Sequence, residues 1–194
     1  MVIDHVQDVL KSAPNHEGFA FFYCNRNEKS RRQPLSVLQS YVRQLSTVTS
    51  NPEHMQTKLR KLCNEMEQNG SDLRFDTCRQ LILESVNLYP KTTLVVDALD
   101  ECEPESRWQL VRMIEDLLLQ SERPLKVFIS SRPDGDIRDC FLARPSIQIQ
   151  ATDNQHDIEK FVNEQIDKPR QWGKVSASLR RDIVKIVLDR CNGM

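Results

Sequence analysis

Apolar residues recur along the chain in two rhythms, and the alternation between them predicts a mixed α/β protein. Val2, Val6, Val9 and Leu10 share one helical face that ends near Ser12-Ala13-Pro14. Phe19-Ala-Phe-Phe-Tyr-Cys24 is a continuous apolar run of the length of a buried strand. After the polar stretch Asn25 to Gln33, Pro34 stands where a first helical residue is favoured, and Leu35, Leu38, Val42 and Leu45 mark the helix behind it. Another helix follows Ser50-Asn51-Pro52, with Met55, Leu59, Leu62 and Met66 on one face, and stops at Asn69-Gly70. The next runs from about Asp72 to Leu88 with Phe75, Cys78, Leu81 and Ile82 inward, and halts before Pro90.

Three further strands are expected at Thr92 to Val96, Leu125 to Ser130 and Ser146 to Gln150. A helix using Trp108, Val111, Ile114, Leu117 and Leu118 separates the first two, and a short helical turn near Asp136 to Leu142 separates the last two. The tail reads as two helices, one carrying Ile158, Phe161, Val162 and Ile166, the other Leu179, Ile183, Ile186 and Val187. Strands joined through helices pair in parallel, with right-handed crossovers and helices on both faces. In such sheets the chemistry gathers at the carboxyl ends of the strands.

Two of those ends are chemically distinctive. Leu94-Val95-Val96 runs directly into Asp97, and Asp100 and Glu101 follow. Carboxylates at a strand end suit a hard cation such as Mg²⁺, which takes oxygen ligands and keeps waters and substrate phosphates. A second acid can orient or deprotonate an attacking water. The structural alternative is that Asp97 caps the next turn while Asp100 and Glu101 are exposed loop acids. Leu125-Lys-Val-Phe-Ile129 leads likewise into Ser130-Ser131-Arg132-Pro133. An Arg held there reads a γ-phosphate through its planar donor fork, or else forms a salt bridge to Asp97 or Asp100.

Composition narrows the classes. With 39% hydrophobic and 28% charged residues in 194, the balance is that of a globular chain able to bury a core. A net charge of −1 provides no global field for nucleic acid or an anionic membrane. Arg26, Lys29, Arg31 and Arg32 form one basic cluster, read as a solvated loop. The six cysteines include no C-x-x-C pair and no zinc-finger spacing, which implies reduced thiols packed as small hydrophobes. The opening residues lack a basic and apolar leader, and no apolar run approaches the roughly 20 residues of a membrane span. The expectation is a soluble, cytoplasmic protein.

Taken in order, these residues resemble the NACHT family of STAND-class P-loop NTPases, in particular its fungal and nephrocystin-like N-terminal group. The likeness rests on the Asp4-His-Val6 opening helix, the Phe21-Phe-Tyr-Cys24 strand, the Asp97-Ala-Leu-Asp-Glu-Cys102 box, Ser130-Ser-Arg-Pro133 and the Asp157-Ile158 helix start. The closing Cys191-Asn-Gly-Met194 looks like the start of the family's Gly-Met-Phe segment. The resemblance implies that Asp97 is the Walker B acid holding Mg²⁺ through water. It makes Asp100 and Glu101 the catalytic pair polarising the hydrolytic water, and Arg132 the sensor beside the γ-phosphate of ATP or GTP. It also implies a signalling switch that self-associates and carries repeat modules downstream.

One family element is missing: no G-x-x-x-x-G-K-[ST] occurs in the chain. That loop supplies the backbone cradle, the phosphate-binding Lys and a Mg²⁺ hydroxyl. The resemblance puts it just ahead of the opening helix, so the chain is expected to start after the first strand and the loop. That strand would lie between those at Leu125–Ser130 and Ser146–Gln150, so its absence implies either a poorly stable open gap or a last strand that slides across. The expected architecture is therefore a partial P-loop-type parallel sheet of about four strands over residues 1–152, followed by a helical lid segment over 153–194. The leading function is a regulatory NTPase without turnover of its own. The alternatives are a non-catalytic interaction or oligomerisation module, in which the acids have no ligand, and a metal-dependent nuclease or phosphatase, which needs further convergent acids or a histidine.

Overall fold

The computed structural model describes residues 17–47, 52–69, 73–149, 153, 155–167 and 175–190. The expected opening helix and the closing Cys191–Met194 lie outside the described residues, as do the Asn51 and Gly70 punctuation and the side chains of Met55 and Met66. The chain divides into two units, Met1–Leu142 and Ala143–Met194; the sequence expectation put the division ten residues later.

In the first unit, β1 (Gly18–Tyr23), β2 (Thr92–Asp97) and β3 (Leu125–Ile129) form one parallel sheet in the order β1-β2-β3. Phe22 pairs with Val96 and Val96 with Ile129, so the three strands finish at nearly the same level. Helices α1 (Pro34–Thr47), α2 (Pro52–Asn69), α3 (Phe75–Leu88), α4 (Pro104–Gln120) and α5 (Gly135–Phe141) fill the connections. One apolar cluster joins Ala20, Leu94 and Val96 of the sheet to Leu38 and Tyr41 of α1, Ile82 and Val86 of α3, Leu110 and Ile114 of α4, and Ile137 of α5. Tyr41 is wholly buried, and its hydroxyl donates to the carbonyl of Val95 at 2.9 Å, which satisfies the one polar atom its ring brings inside.

The two sheet edges are treated differently. On β1 the side-chain amide of Gln44 in α1 donates to the Phe21 carbonyl at 2.7 Å and accepts from the Phe21 N–H at 3.1 Å, standing in for a ladder neighbour. Beyond β3 the expected fourth strand is not formed. Residues 146–149 have no regular structure and are exposed, with Ile147 at 91%; Gln150 lies outside the described residues. Alternating β-branched residues favour a strand only when a ladder partner and a face to bury against are present.

A second correction concerns α4. Trp108 was expected inside but is 51% exposed, while Arg107 is buried. Positions 108, 111, 114 and 117 step by three residues, each about 60° short of a turn, so the first and last lie on opposite sides of the helix. The face that reaches the core is Arg107, Leu110, Val111, Met113, Ile114 and Leu117.

Gly18 opens β1 where no side chain fits. A Cβ there would stand 2.6 Å from Thr92 Oγ1 and 2.8 Å from the Tyr89 ring. Gly18→Ala is expected to destabilise by about 1–2 kcal/mol through overpacking, read as a lowered urea midpoint with an unchanged slope.

The second unit contains α6 (Gln155–Ile166) and α7 (Ala177–Arg190). Arg180 of α7 donates to Asn163 Oδ1 at 2.8 Å and to both Asp167 oxygens at 2.9 Å. Phe161, Leu179 and Ile186, named in the sequence as apolar residues of these helices, are more than half exposed. No helix among the described residues is long and apolar enough to cross a membrane.

Candidate functional site

The β2–β3 ladder continues past the strands and forms the floor of the strand-end cluster. Ser130 N–H donates to the Val96 carbonyl and Leu99 N–H to the Ser130 carbonyl, each at 2.9 Å. The Ser130 hydroxyl accepts from Ala98 N–H at 3.0 Å and donates to Asp97 Oδ1. Ala98 turns the chain by adopting the left-handed conformation, φ 56° and ψ 53°. That turn sends Leu99 into the core and starts the 3₁₀ turn Leu99–Glu101, with Glu101 N–H on the Ala98 carbonyl at 2.9 Å. An L-residue there is strained by about 1 kcal/mol. Ala98→Gly is therefore expected to raise the thermal midpoint by about 2–4 °C. A lower midpoint would show that the methyl group is held by packing instead.

All four residues singled out in the sequence gather at this end of the sheet. Asp97 is half-buried at the tip of β2, and among the described residues its Oδ1 is the oxygen hydrogen-bonded, by Ser130. Asp100 is not an exposed loop acid: its side chain is 4% accessible. Its Oδ1 accepts from Arg132 N–H at 3.0 Å, and its Oδ2 lies 3.8 Å from Arg132 Nε and 3.6 Å from Arg26 Nη2. Glu101 Oε2 accepts from Arg26 N–H at 3.2 Å. The salt bridge between Arg132 and Asp100, weighed in the sequence as the structural alternative, is present. The Arg132 side chain remains 68% exposed, so the guanidinium is tethered rather than consumed.

Arg26 is an addition that the sequence reading left in a solvated basic loop. It follows β1 and reaches Asp100 and Glu101 from the opposite side to Arg132. Of its neighbours, Arg31 lies 3.5 Å from Glu28 and Arg32 3.6 Å from Glu103. The available signal was topological: a residue just after a parallel strand shares the carboxyl rim with those after its neighbours.

Arg107 is the other residue missed, because an Arg on a helix reads as surface. It is 5% exposed, its guanidinium is paired with Asp136 through Nε and Nη2, and Nη1 lies 3.4 Å from Asp134 Oδ2 and from the Asp100 carbonyl. Burial alone would lower its pKa; the Asp136 and Asp134 carboxylates more than reverse that and hold it charged. In return, the hydrogen bond and charge of Arg107 pull Asp136 below the usual aspartate value. This fork fastens α4 to the loop that carries Arg132.

Among the described residues, no three His, Cys, Asp or Glu side chains are close enough to form a metal cage. One carboxylate with an open oxygen suits Mg²⁺ bound through waters and phosphate, whereas a fully protein-caged ion would need more ligands. The sequence matches the family described as nephrocystin 3, N-terminal, over residues 1–132, more than half of the chain and up to Arg132 itself. Comparison with curated proteins returned no match.

Proposed function

The chain belongs to the nephrocystin 3 N-terminal family, and on that basis we propose that it carries the metal side of a NACHT-type, nucleotide-dependent switch. The observation that supports this reading is the convergence of Asp97 and Arg132 on one rim, from the ends of adjacent parallel strands, around the buried Asp100. Asp97 would hold Mg²⁺ through water, with Ser130 fixing the carboxylate plane. When bound, the ion neutralises charge on the nucleotide phosphates. Glu101 would orient a water. Arg132 and Arg26 present exposed guanidiniums to phosphate oxygens, and Asp100 acts as their common anchor.

Without a G-x-x-x-x-G-K-[ST] loop in the chain, the expectation is weak binding and no ATP turnover. At about 10 mM Mg·ATP and a dissociation constant of about 1 mM, the linked stabilisation is roughly 1.4 kcal/mol, or about 3–6 °C in the midpoint. That shift should appear in the wild type and vanish in Asp97→Asn, whose amide keeps the Ser130 contact. A micromolar constant by calorimetry would contradict the weak-binding half of the proposal, and a shift that survives in Asp97→Asn would remove the metal role.

A second reading, a non-catalytic interaction module, is favoured by α4. Trp108 and Leu119, about three turns apart on one outward stripe, are 51% and 81% exposed. Absence of any Mg·ATP shift in the wild type would move the balance to this reading.

A further inference from the structure

We propose that the free edge of β3 is a dimerisation surface, on which a second copy of the chain adds its own β3 antiparallel about a two-fold axis through Val127. The inference does not rest on the nucleotide reading. In a parallel ladder, alternate residues turn their backbone groups toward the same neighbour. The Pro124 carbonyl accepts from Thr92 N–H, and Ser130 donates to Val96 and accepts from Leu99, so the even-numbered residues of β3 face β2. Leu125, Val127 and Ile129 therefore turn their N–H and C=O groups outward, and among the described residues no hydrogen bond meets them. The opposite edge is closed at the equivalent place. The middle outward residue of β1 is Phe21, and the Gln44 amide both donates to it and accepts from it. Val127 is the corresponding residue of β3, and no described side chain covers it in that way.

A second β3 laid antiparallel completes this edge in a register that is its own complement. Val127 meets Val127 of the second copy, and Leu125 meets Ile129 on either side; each facing pair exchanges two hydrogen bonds. Lys126 and Phe128 then meet at the non-hydrogen-bonded positions, about 4.5 Å apart at Cα, where side chains approach most closely. Both side chains stand on the exposed face, Phe128 at 44%, whereas Leu125, Val127 and Ile129 pack against the core. The ammonium of one copy thus lies against the ring of the other, and symmetry repeats the contact. A lysine on an edge strand ordinarily discourages pairing. Here it does so selectively. An in-register parallel stack sets Lys126 against Lys126, whereas the two-fold register sets it against an aromatic ring. Antiparallel joining also sends the two Asp97–Arg132 rims to opposite ends of the combined sheet, so the pairing covers neither.

The test measures mass against concentration for the full chain by analytical ultracentrifugation, together with amide hydrogen exchange resolved to single residues. A reversible equilibrium is expected, in which the 22.6 kDa species gives way to one of twice that mass as concentration rises. On dimerisation the amides of Leu125, Val127 and Ile129 should slow by about tenfold or more, while those of Lys126 and Phe128, already turned to β2, stay unchanged. Phe128→Lys sets like charges across the two-fold and should weaken the dimer by about tenfold or more. Adding Lys126→Glu to it restores opposite charges and should restore the dimer. A 22.6 kDa species at every concentration up to about 1 mM would overturn the proposal. So would a dimer whose slowed amides lie in residues 146–149 or in α4, or edge amides already slow in the monomer, which would place another segment of the chain on β3. A Phe128→Lys variant that dimerises like the wild type, or a folded double variant that stays monomeric, would equally rule out this register. The wild-type exchange pattern decides between these results even where a variant fails to fold.

Discussion

Replacing Arg107 by Ala is expected to lower stability by about 2–3 kcal/mol, a fall of about 5–10 °C in the thermal midpoint. The loss has two parts. The aliphatic stem of a residue that is 5% exposed leaves a void between α4 and the core, and the Asp100 carbonyl loses a charged donor. The cost stays below that of breaking a fully buried pair, because Asp134 and Asp136 are about half exposed and regain water once the guanidinium is gone. Arg107→Lys retains the charge but not the fork, so it should recover less than half of the lost stability. A lysine variant as stable as the wild type would show that the planar fork contributes nothing.

The same contact has a pH signature. The Asp136 pKa is depressed in the folded chain, first by its hydrogen bond from Arg107. The unfolded chain therefore binds the proton more tightly, and this contribution is fully present above the ordinary aspartate value of about 4. It fades as pH falls below that value. The stability difference between wild type and Asp136→Asn should be flat from neutral pH to about 5 and shrink below about 4. A difference that grows on acidification would have the wrong sign for this pair.

Asp100→Ala is the second large effect, again about 2–3 kcal/mol. The carboxylate is almost inaccessible, accepts the Arg132 N–H, and lies between two guanidiniums. Its removal leaves a backbone donor without its acceptor and frees both arginines from their tether. Asp100→Asn keeps an acceptor for the N–H and should cost about 1 kcal/mol. Amide hydrogen exchange at Arg132 distinguishes the two: fast in Ala, near wild type in Asn. Equal stability of all three proteins would mean that Asp100 does not organise the rim. Arg26→Ala and Arg132→Ala should each cost well under 1 kcal/mol, because both side chains are more than half exposed. The rim would thus keep its shape while losing its phosphate-facing charge, which separates structure from ligand binding in the Mg·ATP experiment.

The helices and the three strands were legible because their signals are local. Pro34, Pro52 and Pro104 each open a helix, and Pro90 follows the end of α3. The apolar runs Phe19–Tyr23, Leu94–Val96 and Val127–Ile129 lie within β1, β2 and β3. Local signals failed where a partner decides the outcome. Ser146-Ile-Gln-Ile-Gln150 has strand-like alternation, yet residues 146–149 pair with nothing among the described residues. Trp108 is the more apolar residue, yet Arg107 has the inward angle and three partners there to offset its desolvation.

At the candidate site the same division holds. That acids follow β2 and an arginine follows β3 is written in the order of residues, and parallel pairing of neighbouring strands then suffices to bring Asp97 and Arg132 to one rim. Sequence alone therefore determined the element order, the parallel sheet and which end of it carries the charged groups, since each depends on short-range pattern and chain connectivity. Only the tertiary structure decided that Asp100 is buried beneath two arginines, that Arg26 joins them and that Arg107 clamps the Arg132 loop. Those contacts join residues from different connections of the sheet, and nothing in the spacing of one segment specifies the distance to a side chain on another.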